Sequence, residues 1–198
     1  AVLINMYGAI FMNAFFGHLS TILNHKRLVF IHAARLGLIR QGIMHDMSKF
    51  SPTEFFAGVR YYAQGKRSPN EIERENHGYS AAWLHHKGRN KHHFEYWTDY
   101  NKKEHRIMPV RMPYKYLLEM LCDRLAASKV YQGENYTDSH PIEYFLRGKP
   151  NRIIHPATSD AIEKLLAMIR DKGEKYTFDY IKENKKELEE EYYKHDIF

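Results

Sequence analysis

Gly42-Ile43-Met44-His45-Asp46-Met47-Ser48-Lys49 is the stretch on which the rest of the chain turns. A neutral imidazole beside a carboxylate offers a metal ion a nitrogen and an oxygen from adjacent residues. Two ligands do not close a coordination shell, so others must come from distant parts of the chain. The sequence supplies them. His25 lies upstream, His85-His86 and His92-His93 lie downstream, and Asp123 lies beyond. The chain has 13 histidines in 198 residues, and their clustering says more than their number.

Upstream of this stretch, residues 15–36 read as a helix. Leu19, Ile22, Leu23, Val29, Phe30 and Ala33 recur at spacings of three and four. His18, His25 and His32 are seven apart and share a face. Gly37 is the expected stop. A short second helix over 38–49 then carries His45-Asp46 near its end, and the two helices form an antiparallel hairpin. Either His25 or His32 can face His45; helical geometry alone does not choose.

Downstream, Ser51-Pro52-Thr53-Glu54 is a helix start, with Ser51 at the N-cap, Pro52 at N1 and Glu54 completing a capping box. The helix runs over 54–64, followed by a loop at 65–69 and a polar surface segment at 70–78. Residues 79–100 read as two helices divided at Gly88 and Asn90, the first ending near His86 and the second starting near Lys91. Residues 101–111 are expected as a loop. A strong helix covers 112–131, with Leu117, Leu118, Leu121 and Leu125 as its core stripe. Asp123 falls beside Met120 and Ala127, where a carboxylate is costly unless paired or metal-bound. Residues 132–157 read as a long loop with a short helix near 141–147. Thr158 or Ser159 caps a helix to Lys172, Gly173 ends it, and a highly charged last helix covers 174–195. No segment shows the alternation of a strand. The expected fold is all-α, one domain over 12–198. Its metal core spans 18–131, and the C-terminal helices, 132–198, pack on its side.

The bulk properties narrow the function classes. Hydrophobic residues make up 43% and charged residues 27%, which fits a globular chain rather than a disordered one. A net charge of +6 suits an anionic substrate, but no arginine-rich run or stacking motif marks a nucleic-acid surface. Cys122 is the single cysteine, so no internal disulfide forms, consistent with a reducing, cytoplasmic setting. Residues 1–16 are apolar and uncharged, yet Asn5, Gly8 and Asn13 interrupt a run already short of the roughly 20 residues a membrane span needs. No basic residue precedes Lys26, so no signal peptide is expected. Met12 reads as the natural start, and residues 1–11 as a dispensable extension. Nothing in the sequence indicates an oligomeric state.

Imidazole and carboxylate ligands favour Mn, Fe, Ni, Co or Zn over calcium, which prefers oxygen. A bridging Asp46 can hold two such ions about 3.5–4 Å apart, the arrangement that hydrolyses phosphoesters. Lys49 and Arg89 can neutralise phosphate charge. His18, His32, His77, His105, His140, His155 and His195 are expected to be ordinary.

The order His, His-Asp, His, His, Asp on helices resembles the HD-domain superfamily of metal-dependent phosphohydrolases. His45-Asp46-Met47-Ser48-Lys49 resembles its His-Asp-x-x-Lys element, and Cys122-Asp123-Arg124-Leu125-Ala126 resembles the segment bearing its last metal-binding Asp. A closer resemblance is to an uncharacterised bacterial and phage branch. Its pattern reads here as His25-Lys26, His45-Asp46-x-Ser48-Lys49-Phe50-Ser51-Pro52-x-Glu54-Phe55, Ala82-Trp83, His86-x-x-Arg89-Asn90-x-His92-His93, Met112-Pro113 and Glu119-Met120-x-x-Asp123. The resemblance covers about residues 18–131. It implies His25, His45, Asp46 and Asp123 around one metal, and His86 with His92 or His93 at a second. It also implies Lys49 and Arg89 facing phosphate. His25 lies closer in sequence to His45 than the first two HD ligands usually do, which leaves His32 as a substitute. Glu54 and Glu119 are expected to orient ligand imidazoles, or one of them to act as a general base. The glycine-tyrosine-proline signature of the cyclic-dinucleotide branch is absent.

The expected activity is therefore hydrolysis of a nucleotide or other small phosphoester by a metal-activated water, with one or two divalent transition-metal ions. Two further readings fit the same ligands: a di-iron oxygenase, and a metal-stiffened module that binds a phosphorylated ligand without turnover.

Overall fold

The computed structural model describes residues 2–194, with side chains from residue 8 onward, and is all-α apart from one small hairpin. Helix α1 (Val2–Arg35) is far longer than residues 15–36. The upstream segment has no proline and is rich in helix formers, so its lack of polar residues does not interrupt the helix. Gly37 ends the turn that follows with φ 72°, as expected.

Helix α2 (Ile39–Met44) folds back on α1 but stops before the His-Asp pair. His45 is extended, Asp46 is left-handed at φ 54° and ψ 27°, and Met47–Phe50 is a single 3₁₀ turn. The expected helix to residue 49 is thus broken at the pair itself. Lys26 on α1 assists: its ammonium donates to the His45 and Ile43 carbonyls, which the end of α2 leaves open.

Helix α3 (Pro52–Arg60) starts at Ser51, whose Oγ accepts from the Glu54 amide. The capping box is only half made, because the Glu54 carboxylate turns elsewhere. The polar segment at 70–78 lies largely on the surface, as expected, and is helical. Helix α4 (Pro69–His77) begins after Ser68 and ends at Gly78, φ 78°. It is anchored by buried Glu73, which accepts from Ser80 Oγ and the Ala82 amide at the start of α5 (Ala81–Lys87).

The helix expected from Lys91 does not form. Asn90 Nδ2 donates to the His86 carbonyl at 2.8 Å and to Ser48 Oγ at 2.7 Å, and the chain turns there. A 3₁₀ turn (Phe94–Tyr96) leads into strands β1 (Thr98–Asn101) and β2 (Arg106–Pro109). They pair antiparallel, Thr98 opposite Pro109 and Asn101 opposite Arg106, where a loop was expected.

Helix α6 (Tyr114–Gln132) is the axis of the core. Leu117, Leu118, Leu121, Cys122, Leu125 and Ala126 are fully enclosed. Val29 and Ala33 of α1 meet them from one side. From the other come Phe145 of α7 (His140–Gly148), and Ile162, Leu166 and Phe178 of α8 (Pro156–Glu183). Tyr192 of α9 (Lys185–Lys194) closes the end. The C-terminal helices therefore share the main core rather than lying beside it. Helix α8 is capped by His155, earlier than the expected Thr158 or Ser159, and breaks at Gly173, φ 84°. His195 lies outside the described residues. A smaller cluster, Ile22, Phe55 and Val59, joins the other half of α1 to α3. The polar centre sits on α1 between these two apolar contacts.

Candidate metal centre

Asp46 is the node. Its carboxylate is buried; Lys49 meets Oδ2, and Oδ1 is left without a hydrogen bond. Oδ2 lies 3.3 Å from His45 Nε2 and 3.6 Å from His25 Nε2. Oδ1 lies 3.3 Å from His86 Nε2 and 3.4 Å from His92 Nε2. One carboxylate therefore presents each oxygen to a different pair of imidazoles. The left-handed backbone at Asp46 aims it there, at a strain of about 1–3 kcal/mol that surrounding packing must offset.

Around Oδ2 the group is completed by Asp123 Oδ1, 3.1 Å from His25 Nε2 and 3.4 Å from His45 Nε2. Around Oδ1 it is completed by His93, whose Nε2 is 2.9 Å from His86 Nε2. The two groups, His25, His45, Asp46, Asp123 and Asp46, His86, His92, His93, each gather four donor atoms at one point. Neighbouring ligands on a shell with bonds of about 2.0–2.2 Å are separated by roughly 3.0–3.5 Å. The observed spacings lie in or close to that range.

Carboxylates behind the rings decide which nitrogens face inward. Glu119 Oε1 accepts from His45 Nδ1 at 3.0 Å and from His92 Nδ1 at 3.2 Å. Glu54 Oε2 accepts from His86 Nδ1 at 2.7 Å. With the proton on Nδ1, each neutral ring turns a bare Nε2 lone pair to the centre. His25 Nε2 and His45 Nε2 lie 3.3 Å apart, and both also face Asp123 Oδ1. In His92, Nε2 is buried without any hydrogen bond. Several imidazole nitrogens converging on two ionised carboxylates are an arrangement that a cation can hold together. The donor set fits divalent transition metals.

The same carboxylates also draw protons onto some of these rings. Burial alone would raise the Asp46 and Asp123 carboxyls, but facing imidazoles, with Lys49 at Asp46, hold both well below the usual carboxylate range. Burial would lower His45, yet Asp46 charge and hydrogen bonds to Asp123, Asp46 and Glu119 raise it well above the ordinary value. His93 goes well below it, through burial and the neighbouring His92 and His86. The protein groups by themselves thus hold the carboxylates charged and share protons unequally among the rings.

The sequence-derived residues fall into place unequally. His25, not His32, faces His45. Both His92 and His93 point inward, and the turn at Asn90 explains it: consecutive helical residues would diverge by about 100°. Of His85-His86 only His86 points inward; His85 Nδ1 sits on Glu54 Oε1 at 2.6 Å. Lys49 Nζ is 2.6 Å from Asp46 Oδ2. Arg89 is exposed, donates to the His85 carbonyl, and is absent from the lining of the cavity. Its expected place facing phosphate is not what the structure has. A cavity of about 200 Å³ opens onto the centre, bounded by His25, Asp46, Lys49, His86, His93 and Asp123 on one side. Trp83 also lines it, stacked 5.6 Å from His86 and edge-on 4.8 Å from His93. His18, read as ordinary, also lines it, with Tyr62 and Arg67. The spacing of seven from His25 was the signal for His18; nothing in the sequence marked Tyr62.

No helix among the described residues is long and apolar enough to cross a membrane. No curated protein and no solved structure matches the chain. A model of a family of unknown function matches residues 14–168, most of the chain and every residue of the centre, so the protein belongs to that family, DUF5662.

Proposed function

We propose that this protein is a metal-dependent phosphohydrolase of the HD-domain kind, acting on a small phosphoester. The observation that carries the reading is Asp46, whose two oxygens each face a separate set of three further donors. A carboxylate so placed suits a bridge between two cations. Bound there, two divalent ions would supply a water of lowered pKa and draw charge from the phosphoryl oxygens.

The chain's own residues do the rest. His25, His45 and Asp123 would hold one ion, and His86, His92 and His93 the other. Glu119 fixes two of those rings in one tautomer, and Glu54 fixes a third. Lys49 keeps its proton: burial opposes the charge, but Asp46 and Asp123 outweigh it and raise the ammonium above the ordinary lysine range. It therefore adds positive charge where a phosphoryl group would enter. The buried walls reduce competition from bulk water and strengthen each of these interactions.

The test begins with elemental analysis of protein purified without a histidine tag, expected to find close to two transition-metal ions per chain. Wild type and Asp46→Ala are then compared on a panel of phosphoesters with Mn, Fe, Ni, Co and Zn. Metal-dependent release of phosphate by wild type alone supports the reading. Equal behaviour of the two proteins rejects it.

A further inference from the structure

The remainder of the cavity wall is built as closely as the centre. Helix α1 and the end of α3 meet there at two glycines. A Cβ on Gly58 would stand 1.9 Å from His18 Nε2, and a Cβ on Gly17 would stand 2.5 Å from the Tyr62 hydroxyl. Each segment omits a side chain where the ring of the other must lie. The rings meet at 6.4 Å between centroids, edge to face. Both line the cavity, and neither the His18 imidazole nor the Tyr62 hydroxyl has a hydrogen-bond partner among the described residues. Two polar heads are thus held at fixed points with nothing of the protein to bind.

This wall carries little charge. Burial first, and the Lys49 charge second, lower the His18 imidazole to about 4, so it is neutral at pH 7. Arg67, which also lines the cavity, is paired with Glu75. Thr21 and Asn70 add uncharged polar groups. The volume, about 200 Å³, lies below the roughly 300–1,000 Å³ of pockets that take drug-sized ligands.

We infer that His18 and Tyr62 are specificity-determining residues that grip the uncharged, hydroxylated part of a phosphoester smaller than a nucleotide, a sugar or polyol phosphate, while its phosphoryl group lies at the metal centre. The inference rests on the phosphoester reading of that centre. Neutral hydrogen-bonding heads beside an aromatic edge match hydroxyl groups and C–H faces, and the space is short for a nucleobase as well as a sugar.

The experiment is calorimetric binding to the manganese-loaded protein, with ribose 5-phosphate, adenosine 5′-monophosphate and inorganic phosphate as probes. Ribose 5-phosphate should bind at least about 10-fold more tightly than inorganic phosphate. His18→Phe and Tyr62→Phe should each remove most of that margin and leave inorganic phosphate unchanged. His18→Gln, which keeps a polar head, should restore part of it. Gly58→Ala, which displaces the His18 ring without changing its chemistry, should act like His18→Phe. Equal weakening of inorganic phosphate would make the pair a support for the metal centre and overturn the inference. So would unchanged ribose 5-phosphate binding in the variants, equal affinity for the adenosine monophosphate, or no binding of any probe. Should the binding pattern hold while wild type releases no phosphate from ribose 5-phosphate or any other ester, the inference stands and the hydrolase reading falls.

Discussion

Two histidines of α1, seven residues apart on one face, sit in two different kinds of cluster. His32 Nε2 is 3.4 Å from Glu174 Oε1, and the same carboxylate takes Arg35 at 2.8 Å and Lys129 on its other oxygen. One acid is met by three basic groups, and apart from His32 Nδ1 the polar atoms are answered. His25 instead joins His45, Asp46 and Asp123, where ring nitrogens and carboxylate oxygens crowd together; Lys49 answers Asp46 Oδ2, while Asp46 Oδ1 and His92 Nε2 are left without a hydrogen bond. The first cluster locks α8 onto α1 and α6. The second is incomplete as protein alone. Buried polar atoms left without partners cost about 1–3 kcal/mol each, so a fold that keeps Asp46 Oδ1 and His92 Nε2 together at one point implies that something else satisfies them.

The contrast breaks most sharply at Asp46. Asp46→Ala should lower metal content from about two ions per chain to one or fewer by elemental analysis, and reduce phosphate release at least about 100-fold. Glu119→Gln should come next. It touches two of the proposed ligand rings, so metal affinity should fall about 10–100-fold in a chelator competition, and Glu54→Gln, which touches one, should fall less.

In the His32 cluster the expected effect moves to stability. Glu174→Gln should cost about 1–3 kcal/mol in denaturant unfolding and leave metal content alone. Its pH dependence has a definite sign. Burial opposes ionisation, but His32 and Lys129 lower the Glu174 carboxyl from 4.5 to about 2. Its contribution is therefore fully present above pH 4.5 and lost as pH falls toward 2, a loss that Glu174→Gln should abolish. Smallest of all, Arg89→Ala should shift neither metal content nor phosphate release measurably, and stability by less than about 0.5 kcal/mol. A large loss would return the exposed guanidinium to the site.

What the sequence made legible follows from local rules. The leucine stripe of α6, the stop at Gly37 and the cap at Ser51 each act within one or two turns, and all are found. The convergence of His45, Asp46 and Asp123 was legible because a carboxylate on an apolar helix face needs a partner. Helix α4 was not, since Ile72 is nearly its sole apolar residue and its anchor, Glu73, bonds to the start of α5. The same Ser-Pro start that announced α3 stood at Ser68-Pro69 and carried the information. His92 and His93 could be counted but not aimed, because the turn depends on Asn90 reaching back to Ser48, 42 residues earlier. Arg89 looked cationic and near; its direction is set by that same turn.

The indole of Trp83 rests against two of the proposed ligand rings, while Trp97, the second indole, packs on Tyr116. Light absorbed by the protein is therefore emitted in part from directly beside the centre. Charge or an unpaired electron arriving there changes that emission, and Trp83→Phe would silence the change while Trp97 continues to report the fold. Loading and emptying can be followed in real time on the unlabelled chain.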